Sequence, residues 1–243
     1  MKEKLYTIPV NDAFAVDCEC PICAMKKKLE EDAVDYTMGP SYMEDDTRMQ
    51  TDRMGFCEKH MRMIWEKNNR LGLALVASTH IKKITKDIEG LAAQGVEKGG
   101  LFKKVKGDPV VEYLKQLEGS CFVCERIQTS FERYVMTVCY LWKSDGDFRK
   151  KYEESKGFCN EHYRVLLESG VKYLSGKQLE EFREATNRIY MENMKRMLED
   201  VEWFINKFDY RYQDEPWKNS EDAMQRTLTK LNGIIVDEDG KLR

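Results

Sequence analysis

Apolar residues recur along most of this chain at intervals of three and four, the spacing of helices that bury one face. Met25, Leu29, Ala33 and Tyr36 follow it in the first half, and Ile127, Phe131, Tyr134 and Val138 in the second. Each run begins just after a Cys-x-x-Cys, so each motif is expected to open a helix. A further stripe, Ile64, Leu71, Leu75, Ser78, Ile81 and Ile88, predicts one long amphipathic helix from about Cys57 towards Leu91. Past His162 a short helix should run to about Leu174. Ser175-Gly-Lys-Gln178 reads as a capping box opening another helix to about Phe208, with Phe182, Ile189, Met197, Val201, Phe204 and Phe208 buried. A last helix is expected from a Ser220 cap through Leu231, and the tail GIIVDEDGKLR suggests a small hairpin at its Glu-Asp-Gly turn.

Polar punctuation divides the pattern. The stretch EKGGLFKKVKG breaks the period with glycines and lysines, and residues 98–107 are read as a linker. It separates a first repeat over 1–97 from a second repeat with a C-terminal helical extension over 108–243. Asp108 then caps a helix with Pro109 at its first position. Two charged stretches, MEDDTRMQTDRM and DGDFRKKYEESK, are read as loops at equivalent places in the two halves.

The halves repeat each other in their chemistry. Cys20-Pro-Ile-Cys23 is followed by Gly55-Phe56-Cys57-Glu58-Lys59-His60, and Cys121-Phe-Val-Cys124 by Gly157-Phe158-Cys159-Asn160-Glu161-His162. Three thiolates and an imidazole supply four soft donors, the set of a closed structural zinc site. A helix start also favours thiolates through its N–H groups and dipole. The expected sites are therefore Cys20, Cys23, Cys57 and His60 in one half, and Cys121, Cys124, Cys159 and His162 in the other. Two metal ions are implied, with zinc preferred, and iron–sulfur clusters on the same ligands, serving electron transfer, are the alternative. Buried free cysteines beside surface histidines are the plain alternative to both. Saturated coordination leaves no position for activated water, which argues against hydrolytic chemistry at these sites.

Other residues carry weaker signals. Cys18 is a spare ligand, a reactive thiol or a passive one, and Cys139, inside a helical stripe, reads as a small buried hydrophobe. His80 is read chiefly as a hydrogen-bonded part of the packing, and otherwise as a candidate for a pocket between the halves. The segment from Asp209 through Pro216 and Trp217 is rich in aromatic and turn residues. It is read chiefly as a packed turn in which Trp217 caps the core, and otherwise as lining for that pocket or for a partner surface.

Composition narrows the classes of function. Forty Lys and Arg against 43 Asp and Glu give a formal charge of -3, so no general basic field draws the chain to nucleic acid. No apolar run approaches the length that spans a bilayer, and the opening MKEKLYTIPVNDAF lacks the apolar core of a signal peptide. These features point to a cytoplasmic protein away from the membrane, where thiols stay reduced and cysteines serve as ligands.

Cys-Pro-Ile-Cys, Tyr42-Met43-Glu44-Asp45-Asp46, the doubled Gly-Phe-Cys-x-x-His, Asn69-Arg70-Leu71-Gly72-Leu73-Ala74-Leu75, and Phe208-Asp-Tyr-Arg211 through Pro216-Trp217 and Asn219-Ser220 together resemble an uncharacterised bacterial family among the domains of unknown function. The resemblance covers nearly the whole chain and implies no established activity. Relatives of this kind can bear a transporter substrate-binding label, which the opening of this chain does not support. The expectation is an all-α protein of two related helical-hairpin halves, each closed by a Cys3His metal site, packed into one helical body. Its sites would be structural and would present a surface to a protein or small ligand. An enzyme with a pocket between the halves is the further alternative.

Overall fold

The chain is all-α. A computed structural model describes residues 6–95, 107–237, 240 and 242, so the expected linker lies, except for Gly107, outside the described residues. Eleven α-helices occur among those residues: α1 Thr7–Ala13, α2 Pro21–Met38, α3 Asp45–Met54, α4 Glu58–Glu66, α5 Arg70–Gln94, α6 Pro109–Glu118, α7 Phe122–Ser144, α8 Gly146–Glu153, α9 Asn160–Tyr173, α10 Gly176–Asn206 and α11 Ala223–Asn232. At the tail, where a small hairpin is expected, the described residues form one isolated antiparallel bridge, Val236 to Leu242. The helices gather into two compact units, Met1–Lys28 with Phe131–Arg243, and Leu29–Ser130. The α2 and α7 segments each contribute residues to both units.

The first unit is built on aromatic packing. Phe14, Trp142, Phe148, Tyr152, Phe158 and Phe182 are all buried. Edge-on and tilted pairs join them, Phe14 to Phe148 at 5.0 Å, Tyr152 to Phe158 at 5.1 Å and Trp142 to Phe182 at 5.3 Å, the arrangement that ring quadrupoles favour. Thr186 donates its hydroxyl proton to the Phe182 carbonyl, which leaves its oxygen to accept from the buried Tyr152 hydroxyl at 2.7 Å. Along α10 the expected stripe is buried at Phe182, Ile189 and Met197, but Phe208, past the helix end, is 76% exposed. Ser175 is the N-cap of α10 without a side-chain bond, so the helix begins where expected and the capping box does not form. Asp108 does cap α6, accepting from Val110 N. The last helix starts later than expected, after Asp222, because the Ser220 hydroxyl is turned back to the Trp217 carbonyl.

In the second unit the expected long helix is broken in two. Asn68 adopts the left-handed conformation at φ 58°, and Asn69 caps α5 by accepting from Gly72 N. Asparagine is among the residues that tolerate both positions. The buried face of α5 is Gly72 and Val76, whereas Leu71 and Ile81 of the expected stripe are 67% and 61% exposed. Both point off the buried face, Leu71 about 100° and Ile81 about 180° round the helix from Gly72.

Both charged stretches read as loops are helical, as α3 and α8. Their few buried residues fall one turn apart, Thr47, Thr51 and Met54 in one and Phe148 and Tyr152 in the other. That spacing buries a narrow stripe under an otherwise charged surface.

Candidate metal centres

Each Gly-Phe-Cys-x-x-His folds into the same helix entry. Gly55 and Gly157 take positive φ, 58° and 83°, which glycine adopts without penalty. Cys57 and Cys159 then stand as N-caps in extended conformation, and His60 and His162 fall in the first turns of α4 and α9. The Cys159 sulfur accepts from the backbone N of His162 at 3.4 Å. In the Cys-x-x-Cys of α7, the Cys121 sulfur accepts from Cys124 N at 3.5 Å.

All eight sequence-derived residues gather into two groups of three cysteines and one histidine, but each group draws from both halves. Cys20 and Cys23 meet Cys159 and His162, while Cys57 and His60 meet Cys121 and Cys124. The expectation of a site closed within each half is therefore corrected. Helix lengths supply the reason. Cys20-x-x-Cys23 sits at the start of α2, whose 18 residues carry the chain about 27 Å away. The ten residues of α3 return it only about 15 Å before Cys57. The second half is more unequal, with 23 residues out in α7 and eight in α8. Neither hairpin returns its second motif to its first, and the two exchange partners.

The donor atoms are arranged as ligands of one ion. In the first centre His162 Nδ1 lies 3.5, 3.2 and 3.2 Å from the sulfurs of Cys20, Cys23 and Cys159, and the Cys23 and Cys159 sulfurs are 3.6 Å apart. In the second, His60 Nδ1 lies 3.2, 3.3 and 3.3 Å from Cys57, Cys121 and Cys124, with the Cys57 and Cys124 sulfurs 3.9 Å apart. A tetrahedral zinc ion, with bonds of about 2.3 Å to sulfur and about 2.0 Å to nitrogen, would set these separations at about 3.8 and 3.5 Å. The residues present fit such an ion.

Electrostatics points the same way, because several thiolates packed together repel one another unless a cation lies among them. Without one, charge is favoured on Cys159 over Cys20 and Cys23 in the first group and on Cys121 over Cys124 in the second. In the first, Cys159 is held low by hydrogen bonds from Cys20 and Cys23. Burial and the Cys159 sulfur push Cys20 up to about 12, and Cys159 and Cys20 raise Cys23. In the second, burial raises the Cys121 thiol, but His60 and the backbone N–H groups of Cys124 and Cys57 bring it down to about 6. Burial and the Cys121 charge push Cys124 up to about 12. His60 would lose basicity by burial, yet Cys121 and Glu30 raise it to about 10.

What surrounds the ligands differs between centres. His60 Nε2 meets Glu30 Oε1 at 3.0 Å, and Lys59 pairs with the same oxygen at 2.6 Å. A carboxylate so placed would fix the orientation and tautomer of an imidazole holding a metal ion. His162 Nε2 is buried without a hydrogen-bond partner, and the Phe131 ring lies 5.6 Å from the imidazole.

The backbone braces differ too. Ser120 Oγ donates to the Met54 carbonyl at 2.7 Å, and Phe122 N to the Gly55 carbonyl at 3.0 Å, tying the two motifs of the second centre together. In the first centre Pro21 stands where Phe122 does and has no N–H to give. Glu19 stands where Ser120 does, and buried Lys230 of α11 does the work of that hydroxyl, donating to the carbonyl of Lys156, the equivalent of Met54, and to the carbonyl of Glu19 itself. Its ammonium lies 3.2 Å from the Glu19 carboxylate, which also pairs with Arg196 at 2.5 Å. Gly233, at the end of α11, covers the sulfurs. A Cβ there would sit 3.6 and 3.7 Å from Cys23 and Cys159 Sγ. All four ligands of the first centre are buried, whereas in the second Cys57 is half-buried and Cys124 exposed. Cys121 and Cys124 also line a cavity of about 550 Å³.

The remaining sequence candidates have structural work. His80 Nδ1 donates to the Asp52 carbonyl at 2.8 Å, and its ring backs Gly55 closely enough that a Cβ there would be 2.6 Å from Nε2. Asp209 caps a short 3₁₀ turn and forms an ion pair with Arg211 at 2.6 Å. Trp217 packs on Phe204 at 5.8 Å and is 37% exposed, covering the core only in part. Cys139 is fully buried, which pushes its thiol up to about 12, and burial also raises the Cys18 thiol. Neither joins a ligand group. Glu30, Lys230 and Gly233 were not singled out by the sequence. Glu30 follows Cys23 by two helical turns on α2, and Lys230 follows buried Ala223 by two turns on α11, so spacing was the available signal.

A family profile described as a Family of unknown function (DUF6062) matches residues 1–238. The chain belongs to this family. No curated protein and no solved structure matches it. Among the described residues, no helix is long and apolar enough to cross a membrane.

Proposed function

We propose that the protein is a cytoplasmic zinc protein in which the two Cys3His groups act as structural braces, fixing helix entries so that the helical body presents a surface to a protein or small ligand. The observation that carries this reading is the convergence of four donors, all within 4.8 Å of one another, in each group. A cluster of several irons spreads its cysteine sulfurs over different metal atoms, so a set this tight favours a single ion over iron–sulfur chemistry. Three sulfurs and one nitrogen suit zinc and fill its coordination, which assigns the ion a folding role.

Metal analysis and visible absorption of protein purified without oxygen test the proposal. Two zinc ions per chain in a colourless sample are expected. A brown sample holding iron and acid-labile sulfide would overturn it.

A further inference from the structure

The two centres share ligands but not accessibility. In the first, Gly233 closes over Cys23 and Cys159, and every ligand is buried. Their equivalents in the repeat are Cys124 and Cys57, which are exposed and half-buried, with sulfurs 3.9 Å apart. The cavity of about 550 Å³ has Cys124 in its wall, with Arg53, Tyr113, Gln116, Ser120 and Gln128 around it. That volume is of the size that holds a small organic ligand and is far more than a peroxide needs. The amides of Gln116 and Gln128 match the groups of a short peptide, exposed Arg53 matches a carboxylate, and Glu125 in the same wall matches an amino group.

We propose that the second centre is a thiol-modification site for a small peptide disulfide, an inference that rests on the metal-binding reading above. Cys124 Sγ bonds to one sulfur of the disulfide, whose S–S bond breaks, and the other sulfur leaves as a thiolate that takes a proton from solvent. Cys57 Sγ then attacks Cys124 Sγ, forming the Cys57–Cys124 bond and expelling the second thiolate, which is protonated likewise. Two protein thiolates give up two electrons, and one external disulfide becomes two thiols. Cys121 and His60 alone would then remain to hold an ion, too few to retain it, whereas the covered sulfurs of the first centre would all stay available to theirs.

The test uses the full zinc-loaded chain and oxidised glutathione under nitrogen, with a chromogenic chelator reporting released zinc and mass spectrometry mapping the cysteines. One of the two ions should leave at a rate that saturates with the disulfide, and the Cys57–Cys124 link should appear while Cys20, Cys23 and Cys159 remain unlinked. Arg53→Ala should raise the half-saturating concentration about threefold, the worth of an exposed ion pair, and leave zinc release by hydrogen peroxide unchanged. Equal release from both centres, a link elsewhere, a rate that never saturates, or an Arg53→Ala variant indistinguishable from the parent would overturn the inference. A chain that holds fewer than two zinc ions before oxidant is added would overturn the metal reading instead.

Discussion

Replacing Lys230 by methionine tests whether the first centre depends on a buried charge outside its own ligands. The side chain is 1% exposed, and its ammonium serves two backbone carbonyls and the Glu19 carboxylate. Methionine fills much the same volume, so packing changes little. Stranding a buried carboxylate costs about 3–5 kcal/mol when its partner is removed. Glu19 keeps Arg196 at 2.5 Å, which favours the lower end. Two carbonyls deprived of a donor add about 1 kcal/mol each, partly overlapping the same loss. The expected total is about 3–4 kcal/mol. Urea unfolding of the zinc-loaded protein measures it, and competition with a chromogenic chelator shows where it falls. Expressed wholly at the first centre, a loss of about 3 kcal/mol weakens zinc there roughly 100-fold and leaves the other ion unaffected. Adding Glu19→Gln should restore part of the stability, since the stranded charge goes with it. A loss below about 1 kcal/mol, or equal weakening of both ions, would refute the reasoning that Lys230 braces this centre.

Three further outcomes are expected. Glu30→Gln keeps an acceptor for His60 but loses its charge, so zinc at the second centre should weaken about tenfold in a competition assay while the first centre is unmoved. Zinc loading at pH 7 should release at least two protons from the second centre, because His60 at about 10 and Cys124 at about 12 are both protonated beforehand. Affinity there should therefore fall about 100-fold for each unit of decreasing pH near neutrality, which calorimetry in buffers of different ionisation enthalpy resolves. Gly55→Ala should cost clearly more than Gly176→Ala in thermal unfolding. Both have positive φ, 58° and 53°, and Gly55, at ψ -151°, lies close to the region open essentially to glycine alone, where a side chain costs about 1–3 kcal/mol. Only at Gly55 does the new methyl meet the His80 ring, whereas Gly176 has open space.

The eight clustered residues were legible because residue type and spacing carry their chemistry. Cys-x-x-Cys and Cys-x-x-His place donors one helical turn apart wherever a helix begins, and all eight fall in the two groups that could hold a metal ion. Their pairing was not legible from the motifs, since two equal half-sites on each side allow either combination. Counting the arms would have decided it, with 18 residues out and ten back in one half and 23 and eight in the other. Charged α3 and α8 read as loops because two or three buried residues are enough to anchor so short a helix. The break between α4 and α5 was signalled by Asn68-Asn69, one residue fit for a left-handed position and one for a cap, but the continuous apolar stripe masked it. Lys230 stayed hidden because a lysine on a helix is ordinarily a surface residue. Its burial answers to Glu19, whose carboxylate and carbonyl, with the Lys156 carbonyl, surround its ammonium.

The exchange of half-sites bears on how such a chain could arise. A single repeat owns a Cys-x-x-Cys and a Gly-Phe-Cys-x-x-His that its unequal hairpin does not bring together. Standing alone it would have two unfinished sites and no closed one. Two copies related by a two-fold axis would each lend the other the missing half, giving a symmetric pair of complete centres. The present chain connects its half-sites as such a homodimer would with both copies on one polypeptide. On one polypeptide the symmetry need not hold, and α11, with Lys230 and Gly233, covers one group and leaves the other open.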